Sequence, residues 1–311
     1  MIACFLNQIF SMENIANTIK KERVEIMKTL RSIAYKGKSD YVNMGGNLIR
    51  QPLPTQELDQ VDPFLLLHHY KYDVGPYSPG LSLSPHPHRG FEPVTFIFQG
   101  EQLHRDSLGN EGVLKAGDVQ WMTAGSGVIH DEGPSKDFVG TMEGIQLWVN
   151  LPSKYKMTTP KYQDVKSESM PVVPLTNGNG GIKIVAGELH GQKGATSTFT
   201  EINAFIVNLE ANDKTTISLP THHDALVYLI KGETRINDDQ TLKLNQLQML
   251  TFHKDGEAIE LEANQNSTLL ILSGEPIEEK VASWGPYVMN TQTEIMEALR
   301  DYQQGKMGHL Y

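Results

Sequence analysis

Cysteine is almost missing from this chain of 311 residues, where Cys4 stands alone. No disulfide can close within the chain and no thiolate cluster can form, so any bound metal must rest on imidazole and carboxylate. The same scarcity fits a reducing, cytoplasmic setting. Cations are the minority: 27 Lys and Arg stand against 37 Asp and Glu, for a formal charge of −10. That balance argues against direct nucleic-acid binding, which needs clustered cations to displace counterions from phosphates. Long apolar runs are lacking too. The opening MIACFLNQIF has no basic segment before it and runs into the polar SMEN, which makes it a poor signal peptide and far too short to span a bilayer. What remains, 39% hydrophobic and 21% charged residues, is the composition of a folded protein in water, and the length suits two domains.

Helical periodicity is confined to the two ends. Ile15, Ile19, Ile26 and Leu30 fall on one face of a leading helix over residues 13–30; Met27 leaves open whether the first 26 residues are an appended helix or the product of an upstream start. Near the other end, TQTEIMEALRDYQQGK reads as a helix capped by Thr291 or Thr293, with Ile295, Leu299 and Tyr302 on one face. Between them lie short runs of β-branched and aromatic residues divided by Gly, Pro, Asn and Asp, among them VTFIFQG, GIQLWVNL, AFIVNLE, ALVYLIKGE and STLLILSGE. This is an all-β pattern of the kind that closes into barrels or jelly rolls.

The β-rich part repeats itself. VTFIFQGE ending at Glu101 returns as LVYLIKGE ending at Glu233, and KAGDVQWM ending at Met122 returns as KLNQLQML ending at Leu250. The expected organisation is an extension over 1–30, a first barrel over 31–155 and a second over 175–311, joined by a polar, proline-bearing linker near 152–178.

Two pairs of side chains carry chemistry. In SPHPHRGFEPVTFIF, His86 and His88 are two apart and share one face of an extended strand; in AGSGVIHDEGPS, His130 and Glu132 repeat that spacing after a glycine-rich turn. Three imidazoles and a carboxylate can then converge, a donor set that suits Fe(II), Mn(II), Ni(II), Cu(II) or Zn(II) alike. In the second barrel His222 and His223 are adjacent, expected on opposite faces of a strand, and His253 stands beside a KDGE turn. One metal per chain is therefore expected, in the first barrel. Trp121, Trp148 and Trp284 read as core anchors, and His68, His69 and His104 as exposed or structural histidines.

Gly80, His86, His88 and Glu92 resemble the first motif of the cupins, and Gly117, Gly125 and His130 resemble the second, although Gly100 closes the first motif one residue late. Beyond that, HPHRGFEPVTF, HRDSLGN, GDVQWMTAGSGVIHDE, QLWVNLP and GPYVMNT are similar to the pirin family, over roughly residues 32–306. The resemblance implies two cupin barrels and one iron, Fe(II), on His86, His88, His130 and Glu132. It further implies one of two activities: metal-dependent quercetin 2,3-dioxygenase chemistry on a flavonol-like substrate, with Glu132 as the base, or a non-enzymatic regulator that binds a protein partner. A cupin isomerase or small-molecule binder is a weaker third reading. The family often carries Asp where His68 stands. Glu92 competes with Glu132 for the carboxylate position; a bend at Gly90 would turn Glu92 away.

Overall fold

A computed structural model of the chain describes residues 28–75, 80–81, 83–175 and 178–310. Apart from residues 28–30, the expected leading helix and the 1–30 extension lie outside them. The β-rich part forms two cupin barrels, each made of a seven-stranded and a four-stranded antiparallel sheet. Phe91–Gln99 sits between Val119–Thr123 and Gly140–Asn150 in the first barrel, as Asp224–Lys231 sits between Met249–Phe252 and Ser267–Gly274 in the second. After each of these strands the chain passes into the four-stranded sheet through a glycine at positive φ, Gly100 at 82° and Gly232 at 89°. The sequence repeat is thus a repeat of barrels.

Both ends of the described chain cross between them. Ile33–Gly37 pairs with Met249–Phe252 and so extends the second barrel's sheet, while the hairpin Ala282–Trp284 with Tyr287–Met289 and the helix Gln292–Gln303 pack against the first barrel through Ile129 and Met307. The helix begins at Thr291, whose side chain and that of Glu294 close a capping box; Ile295 and Ala298 are buried, and Tyr302, at the end of that face, is exposed. The stretch expected as a linker carries strands as well: Lys161–Val165 edges the first large sheet and Val172–Pro174 the second. Buried Lys156 ties these pieces together, its Nζ donating to the carbonyls of Gly90 at 2.8 Å and Val288 at 3.0 Å and to Asn150 Oδ1 at 2.7 Å.

Strand alternation sorts side chains into three interiors. Val94, Phe96, Ile145 and Leu147 of one large sheet pack with Leu226, Tyr228, Leu270 and Leu272 of the other, a shared apolar core between the barrels. The intervening residues of the second barrel, Val227, Leu229, Leu269 and Ile271, point inward and fill it with aliphatic groups. The first barrel differs: Thr95, Gln102, His104, His130 and Glu132 are buried inside it. Polar groups are costly to bury without partners, which marks this interior as the functional one.

Of two expectations about the second barrel, one is corrected and one is met. His222 and His223 stand in the turn before Asp224–Lys231, not on a strand, so alternation does not separate them, and both rings reach Glu201. His253 is exposed, as expected of a turn histidine.

The break at Gly90 decides the direction of Glu92. Leu83–His88 belongs to the small sheet and Phe91–Gln99 to the large one. Gly90 between them has φ 89°, and a Cβ there would lie 2.0 Å from the Val288 carbonyl oxygen. Glu92 therefore faces Thr123, whose hydroxyl donates to Oε1 at 2.6 Å. Burial pushes its carboxyl up to about 7, against the opposing pull of the Thr123 hydrogen bond. A carboxyl raised in the folded state stabilises the fold below its unfolded pKa, and that contribution is lost as pH rises through the folded value. Between pH 4.5 and 7, Glu92 should thus cost wild type stability on the order of 3 kcal/mol. Glu92→Gln is expected to remove that slope, gaining on wild type as pH rises through this window while retaining its metal; denaturant melts across pH with metal analysis check it.

Candidate metal centre

Val128–Pro134 runs between Leu83–His88 and Glu101–Asp106. Its register sets His130 opposite His86, Val128 opposite His88 and Glu132 opposite His104, with an irregularity between His130 and Glu132. Directly opposed residues share a face, so three strands deliver their histidines to one place. His86 Nε2 and His130 Nε2 are 2.9 Å apart, and one nitrogen from each of His86, His88 and His130 lies within 4.8 Å of the others. Two ligand atoms about 2.1 Å from one ion and 90° apart are separated by about 3 Å. The 2.9 Å contact therefore serves either as an N–H···N hydrogen bond between neutral rings or as one edge of a coordination polyhedron.

The far sides of two rings favour the second role. His86 Nδ1 faces the Ser84 carbonyl at 2.9 Å, and His88 Nδ1 faces that of Pro286 at 3.4 Å. A carbonyl at Nδ1 holds the proton there and leaves the Nε2 lone pair free for a metal. Burial holds His88 and His130 well below the usual imidazole range, and the neighbouring imidazoles act in the same sense, so both are in the neutral form that coordinates.

Glu132 stands beside this trio and not within it. Thr95 Oγ1 donates to its Oε1 at 3.3 Å, and the Nδ1 atoms of His130 and His104 each lie 3.9 Å from the same oxygen. Glu132 thus forms a second grouping with His104 and His130. Both groupings border one cavity of about 390 Å³, whose lining includes His86, His88 and Glu132. Its walls are largely apolar and aromatic, from Leu66, Tyr70, Tyr72, Leu81 and Trp148, with His68, Gln102 and Gln146 as polar points. This is the size and character of a pocket for an aromatic small molecule.

Several side chains sit where sequence reasoning did not put them. Trp121 is a fully buried core anchor, but Trp148 borders the cavity, stacked at 4.3 Å between centroids on Phe91, and Trp284 is exposed. Alternation explains Trp148, because its neighbour Leu147 faces the shared core. His68 and His69 lie on the strand Phe64–Val74, not in an exposed loop. His68 faces the cavity, bonded to Gln51 Oε1 at 2.8 Å and pushed down to about 4 by burial. His69 faces the other barrel, 2.9 Å from the Tyr228 hydroxyl and 3.2 Å from Glu143. His104 was missed as a site residue. It is 1% exposed, and neither ring nitrogen has a hydrogen-bond partner. The repeat carried the signal: the offset of 132 that joins Glu101 to Glu233 sets His104 against Ile236, an aliphatic of the second interior.

The family models for Pirin and for the Pirin C-terminal cupin domain match residues 46–149 and 204–308. The chain belongs to the pirin family. A Pseudomonas aeruginosa pirin relative, provisionally named a quercetin 2,3-dioxygenase, is 38% identical over 79% of this chain and 86% of its own length. Pirin-1 of Arabidopsis thaliana is 34% identical over 92% of this chain and 95% of its own length. The crystal structure of quercetin 2,3-dioxygenase from Acinetobacter baumannii superposes with a TM-score of 0.84 at 36% identity, over 91% of this pirin and all of that chain.

A buried imidazole with both nitrogens unpaired costs stability, roughly 1–3 kcal/mol for each unsatisfied group. His104→Leu is expected to raise the unfolding free energy by about 1 kcal/mol or more while weakening metal retention about tenfold, through loss of the imidazole whose Nδ1 stands 3.9 Å from Glu132 Oε1. Denaturant melts and chelator competition on the same protein measure the two effects.

Proposed function

We propose that this pirin oxygenates a flavonol-like substrate in the cavity of its first barrel, using one divalent transition metal, iron(II), held by His86, His88, His130 and Glu132. The observation that carries this reading is the junction of the three-imidazole cluster with an aromatic-walled cavity of about 390 Å³. The names of the Pseudomonas aeruginosa and Acinetobacter baumannii relatives support the substrate class. The donor set fits such an ion: neutral nitrogens supply borderline ligands, a carboxylate balances charge, and the cavity leaves room for exogenous ligands. Bringing Glu132 onto the same ion as the three imidazoles requires its side chain to move toward His86 and His88, with which it is not grouped in this structure.

When bound, the metal supplies Lewis acidity and one-electron chemistry toward O₂. The remaining roles fall to the chain. Tyr70, Tyr72 and Trp148 would hold the planar rings of the substrate, and His68 and Gln146 would offer polar contacts to its hydroxyls. Glu132, 8% exposed and bordering both cavity and cluster, would accept the flavonol hydroxyl proton on Oε1. Among the described residues no helix is long and apolar enough to cross a membrane, and the single cysteine supports a cytoplasmic location.

His88→Ala is expected to lose most of the bound metal and to lower flavonol-dependent O₂ uptake roughly 100-fold or more, with Glu132→Gln weakening metal retention or abolishing turnover. Elemental analysis and an oxygen electrode with a flavonol panel measure both. Iron-replete protein that consumes no O₂ with any flavonol, yet binds a protein partner, would replace this reading with the regulatory one.

A further inference from the structure

The turn that carries His222 and His223 is built more firmly than an exposed loop requires. Arg31, 1% exposed, reaches beneath it: Nη1 donates to the His223 carbonyl at 2.8 Å, Nη2 to that of Pro220 at 2.5 Å and Nε to that of Gly256 at 3.1 Å. Its charge is met by Asp224 and Asp255. The His223 amide closes the turn onto the Pro220 carbonyl at 3.0 Å. Within this frame His223 is 2% exposed, with Nδ1 3.2 Å from Ser273 Oγ. Asn203 Nδ2 donates to that hydroxyl at 3.1 Å and so fixes it. An Nδ1–H donated to Ser273 leaves the Nε2 lone pair facing Glu201, with no hydrogen bond made by that buried nitrogen.

His223 Nε2 lies 3.5 Å from Glu201 Oε2, and His222 Nε2 lies 3.3 Å from the same oxygen. Ligand atoms about 2.05 Å from a tetrahedral ion are separated by about 3.3 Å, so both contacts have the length of a tetrahedral edge. Glu201 is 68% exposed and His222 55%. A solvent-facing contact of this kind contributes about 0–1 kcal/mol, which is small beside the framework of Arg31, Ser273 and Asn203 that fixes the His223 ring. We propose that Glu201, His222 and His223 form a second metal site, open to solvent at a fourth position, for a divalent cation that favours imidazole, such as Zn(II). Its three donors belong to the second barrel and share no residue with the first centre; the expectation of one metal per chain rested on strand alternation parting His222 from His223, which does not hold in this turn.

The test is Zn(II) titration of metal-free full-length protein carrying His88→Ala, which disables the first centre, followed by calorimetry and by the visible spectrum of Co(II) at the same site. One Zn(II) per chain is expected, with a tetrahedral Co(II) band. Adding His222→Ala or Glu201→Gln, both at exposed positions, is expected to weaken Zn(II) at least about tenfold and abolish the band; adding Ser273→Ala, which touches no ion, to weaken it about tenfold through the lost orientation of His223. The proposal is overturned if the His88→Ala protein takes up no Zn(II), or if His222→Ala and Glu201→Gln leave its affinity unchanged. Neither result bears on the chemistry assigned to the first barrel.

Discussion

The period of two along a β-strand is the constraint from which the rest of this pirin follows. Each long strand of the two large sheets must place alternate residues in different environments. One set, Val94 and Phe96 against Leu226 and Tyr228, joins the barrels in a common apolar core. The other set lines the inside of its own barrel. Once the shared core has fixed which residues face outward, the inward residues are free to differ between barrels without disturbing how the two are joined. Fold and site are thereby separable: one duplicated framework holds an aliphatic interior in one copy and a polar, histidine-bearing one in the other.

That separation has an energetic side. The second barrel, filled by Val227, Leu229, Ile236, Leu261 and Ile271, gains the full benefit of apolar burial. The first barrel keeps His104 and His130 buried with nitrogens that lack partners, and Glu92 buried as a raised carboxyl. The second barrel and the crossed ends offset that cost. Ile33–Gly37 locks the start of the described chain onto the far barrel, and the terminal hairpin brings the Pro286 carbonyl to His88. The second barrel's connection thus reaches the first barrel's histidine cluster, which gives the site-poor half a direct part in orienting it.

Much of this was legible in the sequence. The two barrels were written in the repeat, and the His86, His88, His130 cluster in the two-residue spacing that strands translate into a shared face. Gly90 correctly signalled the bend that turns Glu92 toward Thr123. What was not legible depended on register or on turns. His104 joins the site because Glu101–Asp106 pairs with Val128–Pro134 so that it opposes Glu132, a relation no local pattern states. Trp148 and His68 face the cavity because Leu147 and His69 face the other barrel, and that choice is made by the partner sheet. His222 and His223 converge because they lie in a turn clamped by Arg31, some 190 residues away in sequence, where strand alternation does not apply.

The central claim, that the first barrel's interior is a metal centre of three imidazoles and Glu132, is tested most directly by anomalous diffraction at the iron edge from crystals of the native-purified protein. The account predicts a single strong peak enclosed by His86, His88 and His130, with a Glu132 oxygen turned to bonding distance. A peak bonded instead to Glu92 with Glu132 directed elsewhere, or an ordered cluster with no metal at any edge, would contradict it.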